Sequence, residues 1–286
     1  MFEFFRTLVQ IAAPIFVVST MLNVGLTQKP SEILGHLKNR PFVLKMLLAN
    51  FVAAPLFMIA MLHFTSLEPA LKAGLLIFAL GAGAPFLIKL TQTAQHSIAL
   101  GAAVMLMLML VTVLYLPIVL PLILSGISVD GWGIAKSLSL QLLLPIVAGM
   151  VVVQFLPSLA NKVQSSVARI GNISLYVLMV ATLIGYSPNM ISIVGTGAIL
   201  VGLVFVLGAF GLGYLTGAGK DHLEDVGGLG TAQRNTAAGV IVAIQNFGEY
   251  PDVLVIMTLA NMLGIVMLLF IAKRLTRDSK VEAEAV

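Results

Sequence analysis

The chain contains no cysteine, a single tryptophan and little charge, with 10% of its 286 residues being Asp, Glu, Lys or Arg, against roughly 25% in an ordinary soluble domain. The missing cysteine excludes disulfides, thiol catalysis, iron–sulfur clusters and cysteine-ligated zinc. The missing charge excludes a water-soluble fold, because 16 basic and 12 acidic side chains cannot cover an aqueous exterior. Acids are also absent from the apolar stretches, all twelve lying in loops, tails or helix ends. The four histidines, His36, His63, His96 and His222, are far apart and form no i,i+4 pair, so no metal site is expected. No nucleophile–base set, H-E-x-x-H motif or paired aspartates occur in the apolar runs, so no catalytic residue is assigned and an enzyme is not expected. The basic residues are scattered at loop positions instead of forming a face, which argues against nucleic acid as a partner despite a pI near 9.4.

What is present is hydrophobic sequence, 59% of the chain, at a mean hydropathy of +1.05. The runs are long and unalternating, which suits helices in a bilayer and not an outer-membrane barrel. Runs bounded by charge, Gly or Pro predict about nine transmembrane helices, at 7–28, 42–64, 70–94, 97–124, 132–156, 165–186, 189–216, 223–247 and 251–273. That leaves short loops and one integral membrane domain over 1–286, with residues 274–286 as a tail. Glu3 near the start and the lack of a small-x-small cleavage site mark the first run as a retained span. Gly213-x-x-x-Gly217 in the seventh span reads as a close-packing motif.

Lys and Arg set the orientation. With the 29–41 loop in the cytoplasm, Lys29, Lys38, Arg40, Lys45, Lys162, Arg169, Lys220, Lys273, Arg274, Arg277 and Lys280 are cytoplasmic, eleven in all, and Arg6, Lys72 and Lys136 are outside. The expected protein is a multi-pass plasma (inner) membrane protein with its N-terminus outside and its C-terminus cytoplasmic. Two cations, Lys89 and Arg234, remain inside spans. A cation in hydrocarbon costs roughly 2.5–3.5 kcal/mol on insertion scales, so it faces a protein interior or a cavity; the alternative is that both side chains snorkel to the headgroups.

The spans that carry these cations are also rich in backbone breakers. Gly81, Gly83 and Pro85 precede Lys89, and Gly227, Gly228 and Gly230 precede Arg234. The third and eighth spans run in opposite directions through the membrane, and paired interrupted spans in two inverted halves point to a transporter site near the midplane. The crossover backbone is therefore assigned to Gly81, Gly83, Pro85, Gly228 and Gly230.

Four segments in order then carry a resemblance: VGLTQKPSEI at 24–33, NFVAAP at 50–55, the pair Pro117 and Pro121, and QRNTAAG at 233–239. The series resembles the bile acid:sodium symporter family. The resemblance implies an all-α fold of inverted repeats with two broken crossing helices, here lacking the family's first helix. It implies panel helices at 7–28 and 132–186 and core helices at 42–124 and 189–273. The family's Glu-x-Gly-x-Gln-Asn sodium pattern falls on Gly230 to Asn235, so the glutamate becomes Gly230, the glutamine becomes Arg234, and only Asn235 keeps its type. The family's Pro-Gly-Gly-x-x-Ser-Asn region is replaced by Pro85 to Thr91, and the next helix offers only Thr112.

Sodium needs several oxygens and a carboxylate to offset its charge, by the logic of hard cations. With the carboxylate gone and two fixed cations present, Lys89 and Arg234 are expected to replace the ions' charge. The expected function is a secondary transporter that moves a small organic anion by alternating access, with no cofactor, without classical sodium coupling, and with proton coupling through Lys89 as an option. Lys89, Arg234, Asn235, Gln233, Thr231 and Thr91 are the candidate substrate groups, aided by half-helix N-termini. The rival reading is a non-transporting membrane sensor or assembly subunit that kept the fold. Substrate identity, direction of transport and oligomeric state are not encoded in any motif.

Overall fold

A bilayer offers no water to a backbone N–H or C=O, so an apolar chain satisfies these groups within helices. The computed structural model describes residues 1–28, 30–124, 129–217 and 223–284, and among them there are helices and no strands. Lys29, Lys220 and His222 lie outside the described residues.

In chain order the elements are α1 (Phe2–Thr27), α2 (Pro30–His36) and α3 (Arg40–Leu48), which continues through a π-helical turn (Ala49–Ala53) into α4 (Ala54–His63). Next come α5 (Pro69–Leu80), α6 (Phe86–Thr93) and α7 (Ile98–Ile123), then α8 (Gly131–Leu138), which passes through a second π-helical turn (Ser139–Leu143) into α9 (Leu144–Phe155). The chain ends with α10 (Pro157–Gly185), α11 (Ser187–Ile193), α12 (Ala198–Gly217), α13 (Leu223–Ala232), α14 (Thr236–Asn246) and α15 (Pro251–Glu284). Seven stretches of these described residues are long and apolar enough to cross a membrane: 2–27, 40–63, 98–123, 131–155, 157–185, 198–217 and 251–276. The third and eighth expected spans are not among them. Each is two short helices in line, α5 with α6 and α13 with α14, separated by non-helical residues 81–85 and 233–235.

Three boundaries differ from the sequence expectation, each for a local reason. The sixth span starts at Pro157 and not at 165, because proline in the first turn is preset for a helix and needs no N–H there. The seventh divides into α11 and α12, since Gly195 and Gly197 take φ of +91° and +85°, a left-handed backbone that ends a helix. Residues 274–284, expected as a tail, are helical and continue α15, in keeping with a stretch that holds no Gly or Pro to stop it.

The helices pack as two groups of neighbours. α1 lies along α9 and α10, while α12 packs on α13 and α4, α15 on α5, and α6 on α7 and α15. Glycine makes the tightest seams possible. A Cβ at Gly25 would stand 2.2 Å from the carbonyl oxygen of Ile146, and one at Gly213 would stand 2.2 Å from that of Gly227. The Gly213-x-x-x-Gly217 motif is thus a close-packing surface against α13, as its spacing indicates.

One end of the bundle is tied by polar groups. Arg6 donates from Nε to the Gly185 carbonyl at 3.1 Å and from Nη2 to Asn189 Oδ1 at 3.4 Å, and stacks on the Tyr186 ring at 5.1 Å. Asn189 Nδ2 passes the connection to Asp252 Oδ1 at 2.8 Å, so α1, α11 and α15 meet there.

The seam between α1 and α9 gives a direct test. A Cβ at Gly149 would come within 2.7 Å of the backbone of Leu22, Gly25 and Leu26, which cannot give way. Gly149→Ala is expected to destabilise by about 1–3 kcal/mol, the usual cost of overpacking, and to lower the melting temperature measurably. Gly211→Ala, where nothing lies within 4 Å, serves as the control and should leave it unchanged.

Candidate ion and substrate site at the helix crossing

The two interruptions meet. Asn235 donates its backbone N–H to the Gly81 carbonyl at 3.0 Å and its side-chain amide to the Gly83 carbonyl at 3.1 Å, while its Oδ1 accepts from Ala238 N at 3.1 Å and caps α14. Gly83 has φ +78°, and a Cβ there would lie 2.2 Å from Met109 N. Only glycine fits a left-handed residue pressed onto a helix backbone. Thr112 clamps the same loop to α7, accepting from Ala82 N at 3.0 Å and donating to Ala82 O at 2.9 Å.

Arg234 sits in the second interruption and is 1% exposed. Its Nη1 donates to Asn50 Oδ1 at 2.8 Å and to Thr231 O at 2.9 Å, and its Nη2 donates to Asn50 O at 3.4 Å and to Ala79 O. Each backbone acceptor has lost its ordinary helical donor. Ala79 lies in the last turn of α5, where the helix stops at Leu80. Thr231 loses Asn235, whose N–H goes to Gly81 instead. Asn50 loses Ala54, whose N–H reaches back to Ala49 in the π-helical turn. The guanidinium, with five N–H donors in a fixed plane, collects these orphans, and the Phe205 ring covers it at 5.9 Å.

The π-helical turn itself follows from Pro55. Proline has no N–H for the Phe51 carbonyl, and the Tyr115 hydroxyl donates to that oxygen at 2.8 Å instead. Asn50 then completes the cluster, donating from Nδ2 to Thr231 Oγ1 at 2.9 Å and to Met46 O at 3.0 Å. Among the described residues no carboxylate bonds Arg234. The negative ends of two helix dipoles do approach it, since α5 and α13 both terminate at the crossing.

The remaining candidates fall in three places. Thr231 and Asn235 belong to the Arg234 cluster. Gln233, 3% exposed, turns the other way and donates to Asn261 Oδ1 and Arg234 O at 3.4 Å. Thr91 is buried, but its hydroxyl bonds back to Leu87 O and Ile88 O of its own helix, against Gly101. Lys89 stands apart from the crossing: it is exposed on α6, with Nζ 3.4 Å from Gln92 Oε1. The buried face of α6 is Leu87, Leu90 and Thr91, which leaves residue 89 on the opposite side at helical spacing. Gly81, Gly83 and Pro85 lie in the first interruption, whereas Gly228 and Gly230 lie within α13, facing Phe210 and the side chains of Val104, Leu87 and Met46.

Asn50 and Tyr115 were not picked out from sequence. An amide two turns into an apolar run and just ahead of a proline was the available signal for Asn50; Tyr115 carried none.

A profile of the sodium bile acid symporter family matches residues 14–196. The chain belongs to that family. This sodium bile acid symporter family member is therefore a multi-pass membrane transporter of the bile acid:sodium symporter type. The match takes in the first broken span and Asn50, and stops short of the second broken span with Arg234. No curated protein matches the chain.

Removing the guanidinium leaves several buried acceptors without donors, at about 1–3 kcal/mol each. Arg234→Met is expected to lower stability by at least about 3 kcal/mol, read as a fall in melting temperature. Tyr115→Phe should cost less, since it strands one carbonyl, and adding Pro55→Ala to it should recover part of the loss by restoring an N–H to Phe51 O.

Proposed function

We propose that this protein is a secondary transporter that carries a small organic anion by alternating access without sodium coupling. The observation that carries the reading is the Arg234 guanidinium, set among backbone carbonyls and the C-terminal ends of α5 and α13. Unwound carbonyls and half-helix C-termini are the groups with which broken-helix transporters hold a cation. Here the cation is part of the chain. A dehydrated sodium ion placed beside it would meet repulsion in a medium of low effective dielectric, with Gly230 where the family has its glutamate.

In this reading α1, α8, α9 and α10 form the panel, the remaining membrane helices form the core, and the substrate lies between the two. The distribution of basic residues supports an N-terminus outside and a C-terminus in the cytoplasm. The positive N-terminal ends of α6 and α14 start at the crossing and suit a carboxylate or sulfonate. Arg234 is enclosed and supplies fixed charge, while Lys89, on the exposed side of α6, is free to meet an anion from outside the helix bundle.

The test is a thermal-shift screen of small carboxylates and sulfonates on the purified protein, in sodium and in choline media. A stabilising anion should act equally in both. The double variant Gly230→Glu, Arg234→Gln restores the glutamate and glutamine of the family pattern and should gain a sodium-dependent rise in melting temperature that the parent lacks. Uptake into proteoliposomes by the parent that climbs with sodium at a Hill coefficient of about two would overturn the reading.

A further inference from the structure

Away from the crossing, the residues joining α6 to α7 hold a second buried polar pair. His96 Nε2 lies 2.6 Å from Asp225 Oδ2, and the two side chains are 4% and 9% exposed. The residues are 129 apart in sequence, and they tie the hairpin of α6 and α7 to the first turn of α13. Both crossing units are thus fastened together at one end. The turn that presents the imidazole is constrained. Gln95 has φ of +59°, the only non-glycine residue with positive φ among those described, and His96 N returns to Thr91 O at 3.0 Å. That closure usually places glycine where Gln95 stands. The same helix α13 continues from Asp225 to Gly230, where the family pattern puts its glutamate and where the side chains of Val104, Leu87 and Met46 close in.

We propose that His96 and Asp225 form a proton-binding site that serves this carrier in place of sodium, an inference that rests on the transporter reading above. With a neutral imidazole the contact is a single N–H···O bond to the carboxylate. Uptake of one proton by the ring makes it an imidazolium–carboxylate ion pair, which adds the attraction of two opposite charges in a medium of low effective dielectric to the bond the neutral ring already donates. The proton-loaded pair clamps α13 to α6 and α7; the unloaded pair lets them part. Histidine is the side chain most suited to taking up and releasing a proton, and a buried partner of fixed position makes gain of that proton a change in how α13 is held. Glu224 adjoins the pair on α13, with Oε2 buried and without a hydrogen-bond partner. Among the residues whose side chains are described, the other titratable groups on elements packed there are Arg40 and Lys45 on α3, Lys89 on α6, and Lys273 and Arg274 on α15, all exposed, with Asp252 on α15, Tyr115 on α7, Tyr214 on α12 and His36 on α2.

The cysteine-free chain makes the test direct. Val104, 1% exposed, is replaced by Cys in the full-length protein in vesicles, and its reaction with a charged thiol reagent is timed at about pH 5.5 and about pH 8. The same ratio in a His96→Gln background removes the thiol's own pH dependence, since Gln keeps a donor for Asp225 and does not titrate. The rate ratio, pH 8 over pH 5.5, should be at least about threefold larger with His96 than with Gln. Asp225→Asn should flatten it likewise and serves if His96→Gln fails to fold. Equal ratios in the intact and altered pairs overturn the proposal. On the unaltered chain with 15N-labelled histidine, a His96 ring in different protonation states at the two pH values supports the proposal, and a ring that stays in one state overturns it. Neither readout uses an anion, so failure to find a substrate in the thermal-shift screen and failure of this pair are separate results.

Discussion

The structure depends on how a buried guanidinium settles carbonyl oxygens that no helix can satisfy. Breaking two membrane helices frees carbonyls that would cost several kcal/mol each if left bare in hydrocarbon. Arg234 takes Ala79 O, Thr231 O and Asn50 O, and binds the Asn50 side chain as well. The relation is mutual. A buried charge is tolerated only where dipoles surround it, and the breaks supply those dipoles. In this chain the interrupted helices and the arginine therefore stabilise one another.

A chain of local substitutions leads to this arrangement. Pro55 removes an N–H, the helix from α3 to α4 widens by one residue, Tyr115 covers the Phe51 carbonyl, and the Asn50 carbonyl turns toward Arg234. Thr112 and Asn235 hold the other loop, and glycine at position 83 allows it to touch α7. Three separate spans thus contribute backbone, not only side chains, to one site. That accounts for a polar centre in a molecule whose apolar runs are otherwise unbroken.

The architecture was legible in the sequence wherever a physical signal was long or redundant. Apolar run length and the Lys/Arg distribution mark the spans, and Gly with Pro marks which two are broken. The finer placement was not legible, because one signal serves two purposes. Gly227 and Gly228 read as helix breakers, yet they sit inside α13 as contact surfaces for α12, and the break comes later, at 233–235. Lys89 and Arg234 give the same signal, a cation within an apolar run. Burial separates them: the packed face of α6 runs through Leu87, Leu90 and Thr91 and leaves Lys89 outside, whereas Arg234 is enclosed in a backbone gap that no periodicity describes. The contact of His96 with Asp225 bridges residues with no local relation, and only the fold brings them together.

A cation that is covalently part of the chain cannot leave at the end of a cycle. A carrier that releases sodium returns without the ions' charge; one that moves this crossing through the bilayer takes the Arg234 charge in both directions. Loaded with a monovalent anion, the moving unit is closer to neutral there, and empty it keeps a full positive charge. Membrane voltage acts on a moving charge with about 2.3 kcal/mol per 100 mV, so in such a carrier it bears on the empty return and hardly on the loaded step. In such a carrier the enclosed guanidinium would make an interior-negative potential a brake or a spur on resetting, according to the direction in which the empty site must travel.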